Sequence, residues 1–506
     1  MIRSIWKTLF CALVIALLFT KSANAHLGNK DVYQTIAVGR YKLFVTVRMP
    51  LVIPGVATVE ARSSGALIHR MTITPLPLTG EASKHPPTPD TMQSSTSDQA
   101  FFTGSLWIMA SGSWQVRFDI DGADGAATAS VPVPAVPIGI QRMQRPMGVL
   151  LTVLGCILVL GVIGIAMAAA REARLAPGLI PGLARRRRAL AAGALAFIVC
   201  ALVVWLGAKW WNVEAADYAA EMHRSSELQV RLDRNHLDLW ITQLDTQAKD
   251  RWKVVKNSDL LADHGHLMHL YAMRWPEMDA VFHLHPAPKG ESSFSDALPV
   301  MPPGTYHLYA DVVFRNGFPE TETSTLMVPP GMIGAPLGSE DASAMPQSIF
   351  AGKLGPEYSL PDGYRMVWEK PATLTANTPY TLVFHLLDPQ GRPAADMRPY
   401  LGMAGHAAFV KTDGTAFAHT HPEGSAAMPA VALANQMSGS SINGMAMNGM
   451  AMNGMVDANA MTMASEPLSP TAAFPYGFPS PGSYRIFIQM RHGSTTETGA
   501  FDAIVR

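Results

Sequence analysis

The sequence predicts a mainly β protein: three immunoglobulin-like β-sandwich domains joined by a two-helix transmembrane hairpin. Three observations carry that expectation. Short runs of alternating apolar and polar residues, punctuated by Pro and Gly, recur through most of the chain, as half-buried strands require. Two stretches, 147–170 and 189–211, stay apolar long enough to cross a bilayer. After them the order Gly-His, His-x-His-Pro, Pro-Gly-x-Tyr occurs twice, as a duplicated module would show.

Composition narrows the functional classes. The 506 residues carry 39 basic and 39 acidic side chains, a formal net charge of zero. That excludes a generally basic nucleic-acid binder, and no nucleic-acid partner is expected. The chain holds 3 Cys against 29 Met and 16 His. Three cysteines make neither a disulfide scaffold nor a four-cysteine zinc site.

Residues 1–25 read as a secretory signal peptide: Arg3 and Lys7, an apolar run from Leu9 to Phe19, then Ala23-Asn24-Ala25. Cleavage there exposes His26, whose terminal amine and imidazole chelate Cu(II) in a copper brace if His69 or His85 completes the set. Residues 26–136 form the first exported sandwich. Its strands are centred on Tyr41–Val47, Val56–Val59, Leu67–Ile73, Leu106–Met109 and Trp114–Phe118, with a Pro/Ser/Thr-rich loop over 86–99.

The spans 147–170 and 189–211 flank a loop, 171–188, that holds Arg171, Arg174 and the run Arg185 to Arg188. Six arginines place that loop in the cytoplasm, and Trp205, Trp210 and Trp211 suit the outer end of the second helix. The expected location is the cytoplasmic membrane, with both flanking regions in the periplasm. Cys156 and Cys200 fall within the spans, so the exported parts hold no thiol. The second helix is expected to continue over 215–228. Residues 228–328 form the second sandwich, 329–349 a Pro/Gly/Ser/Ala linker, and 351–506 the third sandwich with a Met-rich insertion over 428–463.

The repeated motif carries the chemistry. Gly265-His266, Phe282-His283-Leu284-His285-Pro286 and Pro303-Gly304-Thr305-Tyr306 are matched by Gly405-His406, Ala418-His419-Thr420-His421-Pro422 and Pro481-Gly482-Ser483-Tyr484. In His-x-His both side chains leave one face of a strand, so their ring nitrogens can converge on one ion. The expected ligand sets are His266, His283 and His285 in the second domain, and His406, His419 and His421 in the third. His264, His269 and Met268 are possible helpers in the second and Met403 in the third. Three imidazoles suit copper or zinc. The competing reading is that these histidines are hydrogen-bonded at strand edges.

The insertion contains Met428, Met437, Met445, Met447, Met450, Met452, Met455, Met461 and Met463 in a polar Gly- and Asn-rich context. Such a segment is expected to be flexible, and its thioethers select Cu(I). The competing reading is a neutral low-complexity expansion.

These paired motifs, with Pro399-Tyr400-Leu401-Gly402-Met403-Ala404-Gly405-His406, resemble the YtkA-like and FixH-like group of periplasmic immunoglobulin-like modules over 228–506. The resemblance implies copper handling or cytochrome oxidase assembly, with a periplasmic cuproprotein or an oxidase-assembly partner. The leading expectation is a membrane-anchored protein that captures, stores or delivers copper as Cu(I) or Cu(II), with zinc as the alternative metal. The runner-up is a non-catalytic module that docks on a membrane complex. A metal enzyme comes third: Asp279 and Glu423 are the only nearby acid/base candidates, and no nucleophile elbow, phosphate loop or His-Glu-x-x-His sequence is present.

Overall fold

The computed structural model describes residues 31–176, 178–245, 251–438 and 468–506. The signal segment 1–25, His26, and Met445, Met447, Met450, Met452 and Met455 lie outside the described residues, as do Met461 and Met463. The chain is mainly β, with 45% strand and 19% helix. The described residues form two compact units, one within 31–135 and 224–506 and the other within 136–223.

The unit over 136–223 contains the helices Arg145–Glu172 and Leu183–Glu221. Both are long and apolar enough to cross a membrane. Val149, Leu160, Ile165, Val203 and Val204 expose their side chains, as lipid-facing residues do. The helices pack closely where Gly193 faces Met167: a Cβ there would lie 2.7 Å from the Met167 side chain. The second helix stops at Glu221, and Glu227–Asp233 is already a strand. The helical expectation over 215–228 is thus half corrected, because Leu228 alternates with exposed neighbours and buries into a sheet.

The first sandwich pairs a five-stranded sheet (Val32–Val38, Tyr41–Arg48, Gly55–Gly65, Phe101–Ile108, Gln93–Ser94) with a four-stranded one (Asp90–Thr91, Ile68–Pro77, Gly112–Gly122, Gly125–Ala135). Leu43, Val45 and Val47 from one meet Met71, Ile73 and Val116 from the other. The alternation of the sequence made that core. The second sandwich closes on Leu237, Leu239, Leu270, Phe282 and Leu308, and the third on Leu382, Phe384, Phe409 and Ile486.

The second and third sandwiches repeat one another residue for residue around the histidines. His269–Arg274 lies between Val281–Leu284 and Gly304–Phe314, with His269 opposite Asp311 and Tyr271 opposite His283. His406–Lys411 lies between Phe417–Thr420 and Gly482–His492, with His406 opposite Gln489 and Ala408 opposite His419. Tyr306 and Tyr484 each donate their hydroxyl to the carbonyl four residues earlier, Pro302 at 2.9 Å and Ser480 at 2.8 Å. The repeated faces pack on each other: Tyr271, Met273, Val281 and Tyr309 of the second domain against Ala408, Val410, Phe417 and Phe487 of the third.

Two segments depart from expectation. Within the 329–349 linker, Ala342–Ala344 is a strand paired with Val281–Leu284. It was hidden because three residues carry no period. The start of the Met-rich insertion is the helix Met428–Ser438, not a flexible loop. Its Ala430 and Ala434 pack with Leu78 of the first sandwich, and Met428 is buried. The turn before this helix is held by the first sandwich too, through Thr35 N–H to the Glu423 carbonyl at 2.6 Å and Ser425 N–H to the Tyr33 carbonyl at 2.8 Å.

Candidate metal centre

Each histidine strand is preceded by a two-residue turn. Asp263 and His266 exchange both backbone hydrogen bonds, at 2.8 and 2.9 Å, around His264 and Gly265, whose φ are 50° and 88°. Tyr400 and Met403 do the same around Leu401 and Gly402, with φ of 50° and 81°. Positive φ at both central residues is the form that hairpin turns take, and Gly at the second position favours it. The turns align the two copies: His264 stands where the third domain has Leu401, His266 where it has Met403, and His269 where it has His406.

This alignment brings His269 beside His283 and His285, and the His266 ring stands 4.2 Å from that of His285. The counterpart of His406 is His269, three residues beyond His266. The segment from His264 to Met268 is a turn rather than an extended strand, so its side chains do not share one face. Met268 points into the core of the second sandwich, away from the histidines. His266 is half-buried and bonds its Nε2 to Glu340 Oε2 at 2.9 Å. Met403 is buried in the turn just ahead of His406.

The two sets are not two sites. The domain faces bring His264, His269, His283, His285, His406, His419 and His421 into one buried cluster. Donor atoms of His269, His283 and His285 lie within 4.8 Å of one another. Donor atoms of His264, His406 and His421 do the same, a group drawn from both domains. The His419 ring lies 5.4 Å from those of His269, His283 and His406, and 4.9 Å from that of His421.

The hydrogen bonds around the cluster fix its chemistry. His269 Nε2–H donates to the Asp263 carbonyl at 3.1 Å, and His283 Nδ1–H donates to Gln489 Oε1 at 2.8 Å. His285 Nδ1–H donates to Asp341 Oδ1 at 2.9 Å, and His419 Nδ1–H donates to Asp311 Oδ2 at 3.1 Å. The Asp263 carbonyl and the Asp341 and Asp311 carboxylates only accept, which sets the tautomers of His269, His285 and His419, and the Gln489 amide is assigned with its oxygen toward His283. Each ring therefore turns its other nitrogen, a bare lone pair, inward. With Gln489 so assigned, His269 Nδ1 and His283 Nε2 face each other at 3.1 Å; in the other His283 tautomer the same contact is a hydrogen bond. His285 Nε2, His419 Nε2 and both ring nitrogens of His406 and His421 are buried without a hydrogen-bond partner, and His264 Nε2 has only Asp263 Oδ1 near it, at 3.5 Å. Orphaned groups of this kind cost about 1–3 kcal/mol each. An outer acceptor holding one imidazole nitrogen while the other faces inward is the arrangement of metal-ligating histidine.

Asp311 and Gln489 occupy equivalent positions opposite His269 and His406. Each reaches across to the His-x-His of the other domain, so the supports of the cluster are exchanged between the two copies. Tyr271 stacks on His283 with 4.2 Å between ring centres, and Tyr400 Oη donates to the Glu340 carbonyl at 2.8 Å.

Burial favours the neutral form of five of these rings. It lowers His269, His283, His406 and His421 well below the usual histidine range, with neighbouring imidazoles adding to the effect. His264 is pushed down to about 4 by burial first and then by His419. Burial raises the Asp263 carboxyl to about 7, with His419 opposing and Asp311 adding. Neutral imidazole is the form that binds a metal.

Gly405 is required by close approach. A Cβ there would sit 2.4 Å from the Gln489 carbonyl oxygen, a backbone atom that cannot turn away. Gly405→Ala should cost about 2 kcal/mol in chemical denaturation. A variant as stable as the parent would show that the strand pairing beside His406 yields freely.

Sequence reasoning missed the acceptors Asp311, Glu340, Asp341 and Gln489, and the backbone of Asp263. It also missed a separate group, Asp362, His492 and Glu497, whose donor atoms lie within 4.8 Å of one another. There His492 Nε2 is 2.9 Å from Asp362 Oδ2, and its ring stacks on Tyr364 at 3.9 Å.

Residues 358–506 match the profile of a family described as a domain of unknown function (DUF8832). No curated protein matches the chain. Among solved structures, the chain is similar to Escherichia coli alpha-2-macroglobulin activated by porcine elastase, at 6% identity and a TM-score of 0.17, covering 92% of this chain and 30% of that one. It is also similar to an ICAM-5 D1–D4 ectodomain fragment, at 8% identity and a TM-score of 0.15, covering 92% and 77%. The chain thus spans under a third of the macroglobulin's length. Likeness at this level carries no functional argument, and the fold rests on the sheets described above.

Proposed function

We propose that this is a membrane-anchored periplasmic protein that binds copper at the interdomain histidine cluster, and that it captures, stores or delivers the metal for copper homeostasis or cuproenzyme assembly. The observations that carry the reading are the buried ring nitrogens of His285, His406, His419 and His421 that have no hydrogen-bond partner, and the two groups of three histidines whose donor atoms lie within 4.8 Å of one another. A buried lone pair without a donor is costly unless a cation lies near it. All-imidazole donors suit copper in either oxidation state and zinc as well. The methionine repeat of the sequence favours Cu(I) among these. The rings are buried, whereas a catalytic metal keeps an open position for substrate, so binding is favoured over turnover. The two apolar helices supply the anchor, and the arginine loop between them sets its orientation.

The test is metal titration of the full-length chain in detergent, with Cu(I), Cu(II) and Zn(II) each measured against a competing chelator. Copper should bind more tightly than zinc, and His285→Ala/His421→Ala should weaken copper binding by more than about tenfold. Saturation at a thousandfold excess over Kd should stabilise the fold by about 4 kcal/mol. Copper binding that the double substitution leaves unchanged would remove the cluster from the reading. Zinc preferred over copper would change the metal.

A further inference from the structure

We infer that the cluster is a two-ion centre shared between the second and third sandwiches, with His264 completing one of its two ligand sets across the domain boundary. This rests on the metal-binding reading of the same residues.

The ring count argues for it. Seven imidazoles present an unprotonated or unpartnered nitrogen to the same interior, and a tetrahedral or trigonal ion uses three or four. The donors divide without sharing. His269, His283 and His285 form one group, all from the second domain, and His264, His406 and His421 form the other. The two groups adjoin: the His264 and His269 rings are 6.3 Å apart, and those of His283 and His406 are 6.2 Å apart. His419 belongs to neither set and stands against both, its outer nitrogen fixed by Asp311 and its inner one unpartnered. It is placed as the fourth ligand of one ion.

The duplication identifies which residue is the addition. By internal symmetry the third domain offers His406, His419 and His421 against His269, His283 and His285. The symmetric scheme has no histidine in the turn, and Leu401 fills that position in the third domain. His264 breaks the symmetry. Its ring reaches the third-domain group, 5.1 Å from His406 and 5.0 Å from His421. It supplies a second-domain ligand to an ion otherwise held by the third. Leu401 also provides a safe probe, since it shows that Leu accepts the same backbone conformation, with φ of 50° at both positions.

The test is copper counting and EPR on the full-length chain loaded with Cu(II) and desalted. His492→Ala serves as the background, so that the Asp362–His492–Glu497 group does not add to the count. Two cluster-bound ions per chain are expected, with a dipolar-broadened spectrum. His264→Leu should lose one ion and sharpen the signal of the other. His285→Ala should lose the opposite ion, giving a different remaining spectrum. Circular dichroism and melting confirm that each variant is folded. One ion in the parent, abolished alike by His264→Leu and His285→Ala, would overturn the two-ion centre and leave the metal-binding reading standing. Two ions with an unbroadened spectrum, and a count that His264→Leu leaves unchanged, would overturn it as well. No copper in the parent after loading with Cu(II) and, in a separate count, with Cu(I) would overturn both.

Discussion

Replacing Arg485 with Met should cost about 3–5 kcal/mol, the usual result of stripping one partner from a buried ion pair. The Arg485 side chain is wholly buried. Its Nε and Nη2 donate to the two Asp502 oxygens at 2.8 and 2.9 Å, and its Nη1 donates to the carbonyls of Met278 and Gln347 at 2.9 and 2.7 Å. One guanidinium thus ties the third sandwich to a loop of the second and to the segment that follows it. Without it Asp502 keeps a single hydrogen bond, from Leu354 N–H at 2.8 Å, and two carbonyls lose their donor. Denaturation of Arg485→Met, Asp502→Leu and the double variant measures the pair. The double variant should recover much of the loss, because two apolar groups leave no charge stranded. A single substitution costing under 1 kcal/mol would mean that water replaces the guanidinium.

Glu322→Gln should stabilise the protein at neutral and alkaline pH. Glu322 is buried, and both carboxylate oxygens lack a hydrogen-bond partner. Burial raises its carboxyl well above the usual range, and Glu320 adds to the effect. The sign follows from proton counting. Above the unfolded carboxylate range the unfolded chain has released this proton while the folded chain keeps it. Stability from this group is therefore complete at acid pH and falls as pH rises, by about 1.4 kcal/mol per unit, until the folded carboxyl ionises. Gln keeps the shape and has no proton to lose. The gain over the parent should be near zero at pH 4 and should grow from pH 5 to pH 7. A difference that stays constant across that range would show Glu322 ionised in the fold.

Much of this fold was legible in the chain because alternation is a local signal. Tyr41–Val47 and Trp114–Phe118 alternate, and both are strands of the first core. The apolar spans needed only length. The histidines were legible as a repeated motif but misaligned by three residues, since Gly-His was matched to Gly-His. The hairpin turn at His264-Gly265 was readable as x-Gly between short runs, and it would have moved the alignment to His269. Asp311 and Gln489 were not readable. Each supports a histidine of the other domain, and face-to-face pairing of two sandwiches leaves no mark at short sequence distance. Glu340 and Asp341 were passed over because a three-residue strand in a Pro- and Gly-rich stretch has too few positions to show a period.

The burial of the histidine cluster has a kinetic consequence. His269, His283, His406 and His421 are almost completely screened from solvent, and His266 with Glu340 marks the side where exposure begins. An ion behind such a wall leaves at the rate the wall opens, not at the rate its own bonds exchange. Residence time is then set by the local unfolding of the Asp263–His266 turn or by parting of the two faces. A recipient able to pry at that turn would receive metal far faster than a chelator waiting in solution.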